Sequence, residues 1–131
     1  GAEYDYYTTT KGVLEKVKVH VDDVDFAVQP EVLSLLSSGK FGRYADEKGE
    51  MKVCFISNND ITGGNSGSAM FNSKGELLGL AFDGNWEAMG SDILYEPKMQ
   101  RTIGVDVRYI LFMIEKYGKA GNLIQELNIL N

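Results

Sequence analysis

Apolar and charged residues alternate through the first part of the chain. Val17, Val19 and Val21 fall on one side, and Lys16, Lys18 and His20 on the other. A period of two predicts a half-buried strand over 14–21. The Tyr- and Thr-rich segment before it, 4–10, suits a strand as well. Asp22, Asp23 and Asp25 break the alternation. The period then lengthens. Val32, Leu33, Leu35 and Leu36 make one apolar face behind Pro30, with Gly39 just past its end. That pattern predicts a short helix over 31–37. A polar connection, 41–49, leads to an apolar strand over 51–56. Two further strands, 68–71 and 76–82, flank the hairpin signal Asn72-Ser73-Lys74-Gly75. Shorter strands are expected over 93–96 and 102–107. Ile110, Phe112, Met113 and Ile114 then give a helix over 108–117 that Gly118 stops. A last helical stretch covers 122–128. Short strands with turn signals and terminal helices predict a mainly β domain, a small barrel or sandwich, with residues 1–131 forming one unit. A helix packed across one side of a six-stranded barrel is one assembly that fits.

Composition narrows the function classes. A chain of 131 residues with 44% hydrophobic content can bury a core. No apolar run approaches the ~20 residues of a membrane-spanning helix, and no signal sequence opens the chain. The net charge of -6 and the absence of a basic stripe argue against nucleic acid as a partner. The single cysteine, Cys54, lies in the apolar run Val53-Cys54-Phe55-Ile56 and reads as a buried structural thiol. No metal or cofactor is called for: the Asp22, Asp23 and Asp25 group lacks the Gly and terminal Glu of a calcium loop.

The chemistry concentrates in Thr62-Gly63-Gly64-Asn65-Ser66-Gly67-Ser68. Glycines allow a tight turn and leave amide N–H groups unshielded. Such a loop can aim the Gly64 and Ser66 amides at one point, as an oxyanion hole does, with Ser66 as the attacking hydroxyl. The loop is not the nucleophile elbow of an α/β-hydrolase, because Ser68 stands where that motif has glycine. Nor is it a phosphate-binding loop, since no Gly-Lys-Ser/Thr follows. Its place between strands favours the chymotrypsin type. Asn65 in place of Asp removes the partner of a new α-amino terminus, so activation by chain cutting is not expected. An ordinary glycine-rich turn is the alternative. His20 is the chain's one histidine. The spacing gives it no catalytic partner, and a surface position beside acids is its plainer reading. The second segment is Gly79-Leu80-Ala81-Phe82-Asp83-Gly84-Asn85-Trp86-Glu87. Phe82 and Trp86 would wall a pocket, Gly84 would leave it open, and Asp83 would put a negative charge beside it. A hairpin end with Trp86 in the core is the bland alternative.

These two segments, with Gln100-Arg101-Thr102-Ile103 and Val105-Asp106-Val107-Arg108-Tyr109, closely resemble the bacterial dipeptidyl-peptidase 7/11 family. The resemblance runs from about Tyr6 to the end. It implies a chymotrypsin-like six-stranded β-barrel, the C-terminal half of a double barrel, whose catalytic His and Asp lie in the N-terminal half. It implies Ser66 as nucleophile and Asp83 as a holder of the substrate's free α-amino group. It also implies that Gly84 marks the dipeptidyl-peptidase 7 branch, which prefers apolar residues before the cut. Ala69 departs from the proline common after this loop, which changes loop stiffness but puts no functional residue in doubt. Peptides with a free N-terminus are the implied substrates, and the periplasm or cell surface of a Gram-negative bacterium the implied location.

The chain therefore reads as part of a serine dipeptidyl-peptidase. It is expected to be inactive alone without the N-terminal barrel, and to self-associate through the barrel face that the missing half would cover. A non-enzymatic peptide-binding β-domain and a trypsin-like endopeptidase using His20 are the competing readings.

Overall fold

The computed structural model describes residues 6–85, 88 and 100–130. The strand expected over 93–96 and Trp86 lie outside them. The chain forms two compact units, one of Gly1–Thr8 with Val53–Val107, the other of Thr9–Lys52 with Arg108–Asn131.

The first unit is a five-stranded sheet in the order β1-β2-β5-β4-β3. Its strands are β1 (Tyr7–Thr9), β2 (Lys52–Ser57), β3 (Ala69–Phe71), β4 (Leu77–Gly84) and β5 (Thr102–Asp106). The pairs β2/β5, β5/β4 and β4/β3 are antiparallel. Val53, Met70, Ala81 and Thr102 are buried in this unit. The 72–75 turn joins β3 to β4 as the sequence predicts, braced by Asn72 Oδ1, which accepts from the Lys74 and Glu76 amides at 2.9 and 3.0 Å. Among the described residues neither a sixth strand nor barrel closure is seen. Cys54 is half-buried, and burial pushes its thiol pKa up.

The second unit is helical. Helix α1 spans Thr10–Val19, where the alternating pattern predicts a strand. Val13, Leu14 and Val17 also stand at helical spacing, and these three are half-buried, whereas Val19 and Val21 are each 77% exposed. The valines that made the period of two therefore bury little. Packing of the Val13, Leu14 and Val17 stripe overrides β-branched propensity. Lys16 and Lys18 in the last turn suit its negative end. Helix α2 (Pro30–Ser37) carries Pro in its first turn and Leu36 in the core, as expected. Helix α3 (Val107–Phe112) widens into a π turn over Met113–Tyr117, and α4 covers Gly121–Gln125. The helix stops at Gly118 as expected, and Lys119 after it takes the left-handed φ of 53°. The Ala120 amide then bonds back to the Ile114 carbonyl at 3.0 Å.

Phe41, Tyr44, Met51, Leu111, Phe112 and Ile124 are buried in this unit. The Tyr44 hydroxyl donates to Glu115 Oε2 at 2.6 Å. Burial, then this bond, pushes the Tyr44 pKa up to about 12. The same bond, helped by Lys116, lowers that of Glu115. A raised tyrosine pKa contributes stability that is complete below pH 10 and lost as pH rises toward about 12. A lowered carboxyl pKa contributes stability present above its ordinary 4.5 and lost as pH falls through its folded value. Tyr44→Phe should therefore cost about 1–2 kcal/mol at neutral pH. It should also flatten the stability profile at both ends. Urea midpoints across pH measure this, and an unchanged profile would argue against the bond.

Candidate active site

The site is built on the end of β4 and the loop before β3. Ala81 pairs with Gly104 and Asp83 with Ile103, so Phe82 is one extra residue on its strand, a β-bulge. A bulge breaks the in-out alternation and re-aims side chains. Ala81 is buried, while Phe82 is 60% exposed and Asp83 is exposed beside it. Without the extra residue, Phe82 and Asp83 would not both face outward.

The loop is strapped to this strand. The Gly67 amide donates to the Ala81 carbonyl at 2.7 Å, and the Ala81 amide to the Ser68 carbonyl at 2.8 Å. Upstream, the Thr102 hydroxyl donates to the Asn59 carbonyl at 2.7 Å. Within the loop, Asn65 Oδ1 accepts from the Thr62 amide at 2.7 Å, and the Asn65 carbonyl accepts from Ser68 at 2.9 Å. Asn65 thus braces the turn through a short polar side chain that competes well for local amides. The sequence displays the ion pair that Asn65 cannot form but not this brace. Its three-residue spacing to Thr62 was the available signal. Gly64 and Gly67 hold φ of 94° and 86°, which L side chains rarely adopt.

The amides of Thr62, Asn65, Gly67 and Ser68 are occupied. Those of Gly63, Gly64 and Ser66 have no acceptor among the described residues, and all three residues are exposed. Exposed, unpaired N–H groups on a braced turn are donors held ready for a guest. The Ser66 hydroxyl rests on the Phe82 carbonyl at 3.2 Å.

Ser66, Gly64, Phe82, Asp83 and Gly84 all line one cleft of about 240 Å³, together with residues 61–63, Asn85 and Ala88. The structure therefore brings Gly64, Ser66, Phe82, Asp83 and Gly84 to one cleft, while Trp86, expected as a second wall, lies outside the described residues. The cleft holds a hydroxyl, open amide donors, a carboxylate and an exposed ring, a combination suited to binding a polar, partly cationic chain with an apolar side group. Asp83 Oδ1 accepts from the Gly84 amide at 2.8 Å, which fixes one oxygen and leaves the other for a ligand. Among the described lining residues there is no histidine. His20 has a different setting from the strand face the alternation predicts. It caps the C-terminus of α1 and stacks on Phe26 with ring centres 4.2 Å apart. Asp23, from the acidic group beside it, caps a short 3₁₀ turn by accepting from the Asp25 amide at 3.0 Å.

A sequence model of the Peptidase S46 family matches residues 1–129. Dipeptidyl-peptidase 7 of Porphyromonas endodontalis is 60% identical over 129 residues, covering 98% of this chain and 15% of that protein. The Asp/Glu-specific dipeptidyl-peptidase of Porphyromonas gingivalis is 46% identical over 126 residues, covering 96% of this chain and 17% of that protein. The crystal structure of Porphyromonas endodontalis DPP11 with the dipeptide Arg-Glu superposes with a TM-score of 0.87 at 42% identity. It covers 95% of this chain and 18% of that one. The chain thus spans less than a fifth of the relatives it matches.

Proposed function

This chain belongs to the peptidase S46 family, and on that premise we propose that it is the nucleophile-bearing part of a serine dipeptidyl-peptidase. The enzyme removes dipeptides from free N-termini and prefers an apolar residue before the cut. One observation carries the reading: Ser66, the open amide of Gly64, Asp83 and Gly84 share a single cleft. Ser66 Oγ attacks the carbonyl carbon of the second residue, and its proton passes to a base. The Gly64 and Ser66 amides receive the oxyanion, an interaction worth about 2.7–4 kcal/mol per donor in such enzymes. Collapse breaks the C–N bond, the base returns the proton to the leaving amine, and water then releases the dipeptide from the acyl-serine.

The base is a histidine from the remainder of the longer protein, because the described lining of the cleft has none. Asp83 pairs with the substrate's α-ammonium group, a charge-assisted bond that fixes the distance from N-terminus to cut. Gly84 adds no counter-charge, so an apolar side chain enters at no desolvation penalty from a buried ion.

The test uses the full-length protein and dipeptidyl reporters. Free-N-terminus reporters with Leu, Met or Phe in the second position should be cleaved well. The same reporters with acetylated N-termini, and those with Asp or Glu second, should be cleaved poorly. Equal cleavage of blocked reporters would defeat the exopeptidase assignment, and preference for Asp or Glu would defeat the apolar one.

A further inference from the structure

We infer that Ala88 is a further specificity-determining residue of this cleft, acting as a matched pair with Gly84. The inference rests on the dipeptidyl-peptidase reading above. Asn85, the residue after β4, is held by two bonds to Arg101. The Asn85 amide donates to the Arg101 carbonyl at 2.9 Å, and the Arg101 amide donates to Asn85 Oδ1 at 2.9 Å. The Asn85 side chain therefore extends the β4/β5 ladder beyond its last residue pair, Gly84 with Thr102. The Ala88 amide then donates to the Asn85 carbonyl at 2.9 Å. Ala88 lies against Gly84 in the cleft lining.

A methyl placed on Gly84 would lie 2.8 Å from Ala88 Cβ, closer than real carbon pairs approach. The next neighbour, the Arg101 carbonyl oxygen, would be at an ordinary 3.9 Å. Ala88 is thus the chief obstacle to a side chain at position 84. Glycine there is enforced by position 88, and the space a side chain at 84 would need is already filled by the Ala88 methyl. Two consequences follow for an apolar substrate side chain. The bulk of residue 88 limits how large a group the cleft accepts, and any residue larger than glycine at 84 requires a smaller one at 88.

The experiment is a substitution cycle in the full-length protein. It measures kcat/KM on free-N-terminus reporters with Ala, Val, Leu and Phe second, alongside thermal melts. Ala88→Gly should raise Phe relative to Ala by about tenfold, the usual discrimination for one methyl-sized change in an apolar pocket. Ala88→Val should move the ratio the other way by a similar factor. Gly84→Ala should depress all four substrates, and Gly84→Ala combined with Ala88→Gly should recover most of the loss. A structural role alone would scale all substrates together. A flat profile for both Ala88 variants, or a double variant as poor as the product of the singles, overturns the inference while Ser66-dependent activity stands. If Ser66→Ala keeps wild-type turnover, the dipeptidyl-peptidase reading and the inference fall together.

Discussion

Ser66→Ala in the full-length protein should lower kcat for dipeptide release by about 10⁶-fold, the scale seen when a serine protease loses its nucleophile. The melting temperature should barely move. Ser66 is exposed, and its hydroxyl makes a single 3.2 Å bond to the Phe82 carbonyl. A surface change of that kind is worth within about 0.5 kcal/mol of stability. Reporter hydrolysis, labelling by a fluorophosphonate probe and a thermal melt together give the answer. Labelling should vanish with activity. A variant keeping a hundredth of the wild-type rate would mean that another group attacks. The isolated 131-residue chain is expected at the same floor. Its cleft offers donors for an oxyanion and a carboxylate for an amine, but no histidine among the described lining residues takes the serine proton. Ser66-dependent turnover by the isolated chain would show that this account of the base is wrong.

Phe112→Ala should destabilise the helical unit by about 3–5 kcal/mol, the usual cost of emptying a buried aromatic site. Phe112 is 1% exposed. Its ring meets Phe41 edge-on at 5.7 Å and Tyr44 at 6.1 Å, so removing it deprives two other rings of their partner. Against a total stability of about 5–15 kcal/mol, that loss leaves little in reserve. The urea midpoint of the chain should fall by roughly 1 M or more. A shift under a few tenths of that would mean that the ring cluster is not the centre of this unit.

The parts of the fold legible in the sequence were those where one period dominates. The Leu-rich face behind Pro30 and the hairpin around Asn72-Ser73-Lys74-Gly75 have no competing pattern, and both form as read. Residues 13–21 carry two patterns at once. Val17, Val19 and Val21 spell a strand, while Val13, Leu14 and Val17 spell a helix. Only the second set finds partners to bury against, and no local rule could choose between them. The site divides in the same way. Ser66, Gly64, Asp83 and Gly84 belong to residue types whose chemistry is visible in a string. Ala88 and Asn85 are not, because their effect depends on a turn and on a backbone partner at Arg101, which lies 16 positions away.

The extra residue at Phe82 has a consequence for how this site can diverge. Because side chains alternate, losing or gaining one residue between Ala81 and Asp83 would send the rest of β4 to opposite faces. Asp83 would then exchange the cleft for the opposite face of the sheet. Substitutions at 82, 83 and 84 leave that frame untouched. New substrate preferences are therefore open to the chain by point change and closed to it by insertion or deletion. A loop graft into this segment has to preserve its length before its composition matters.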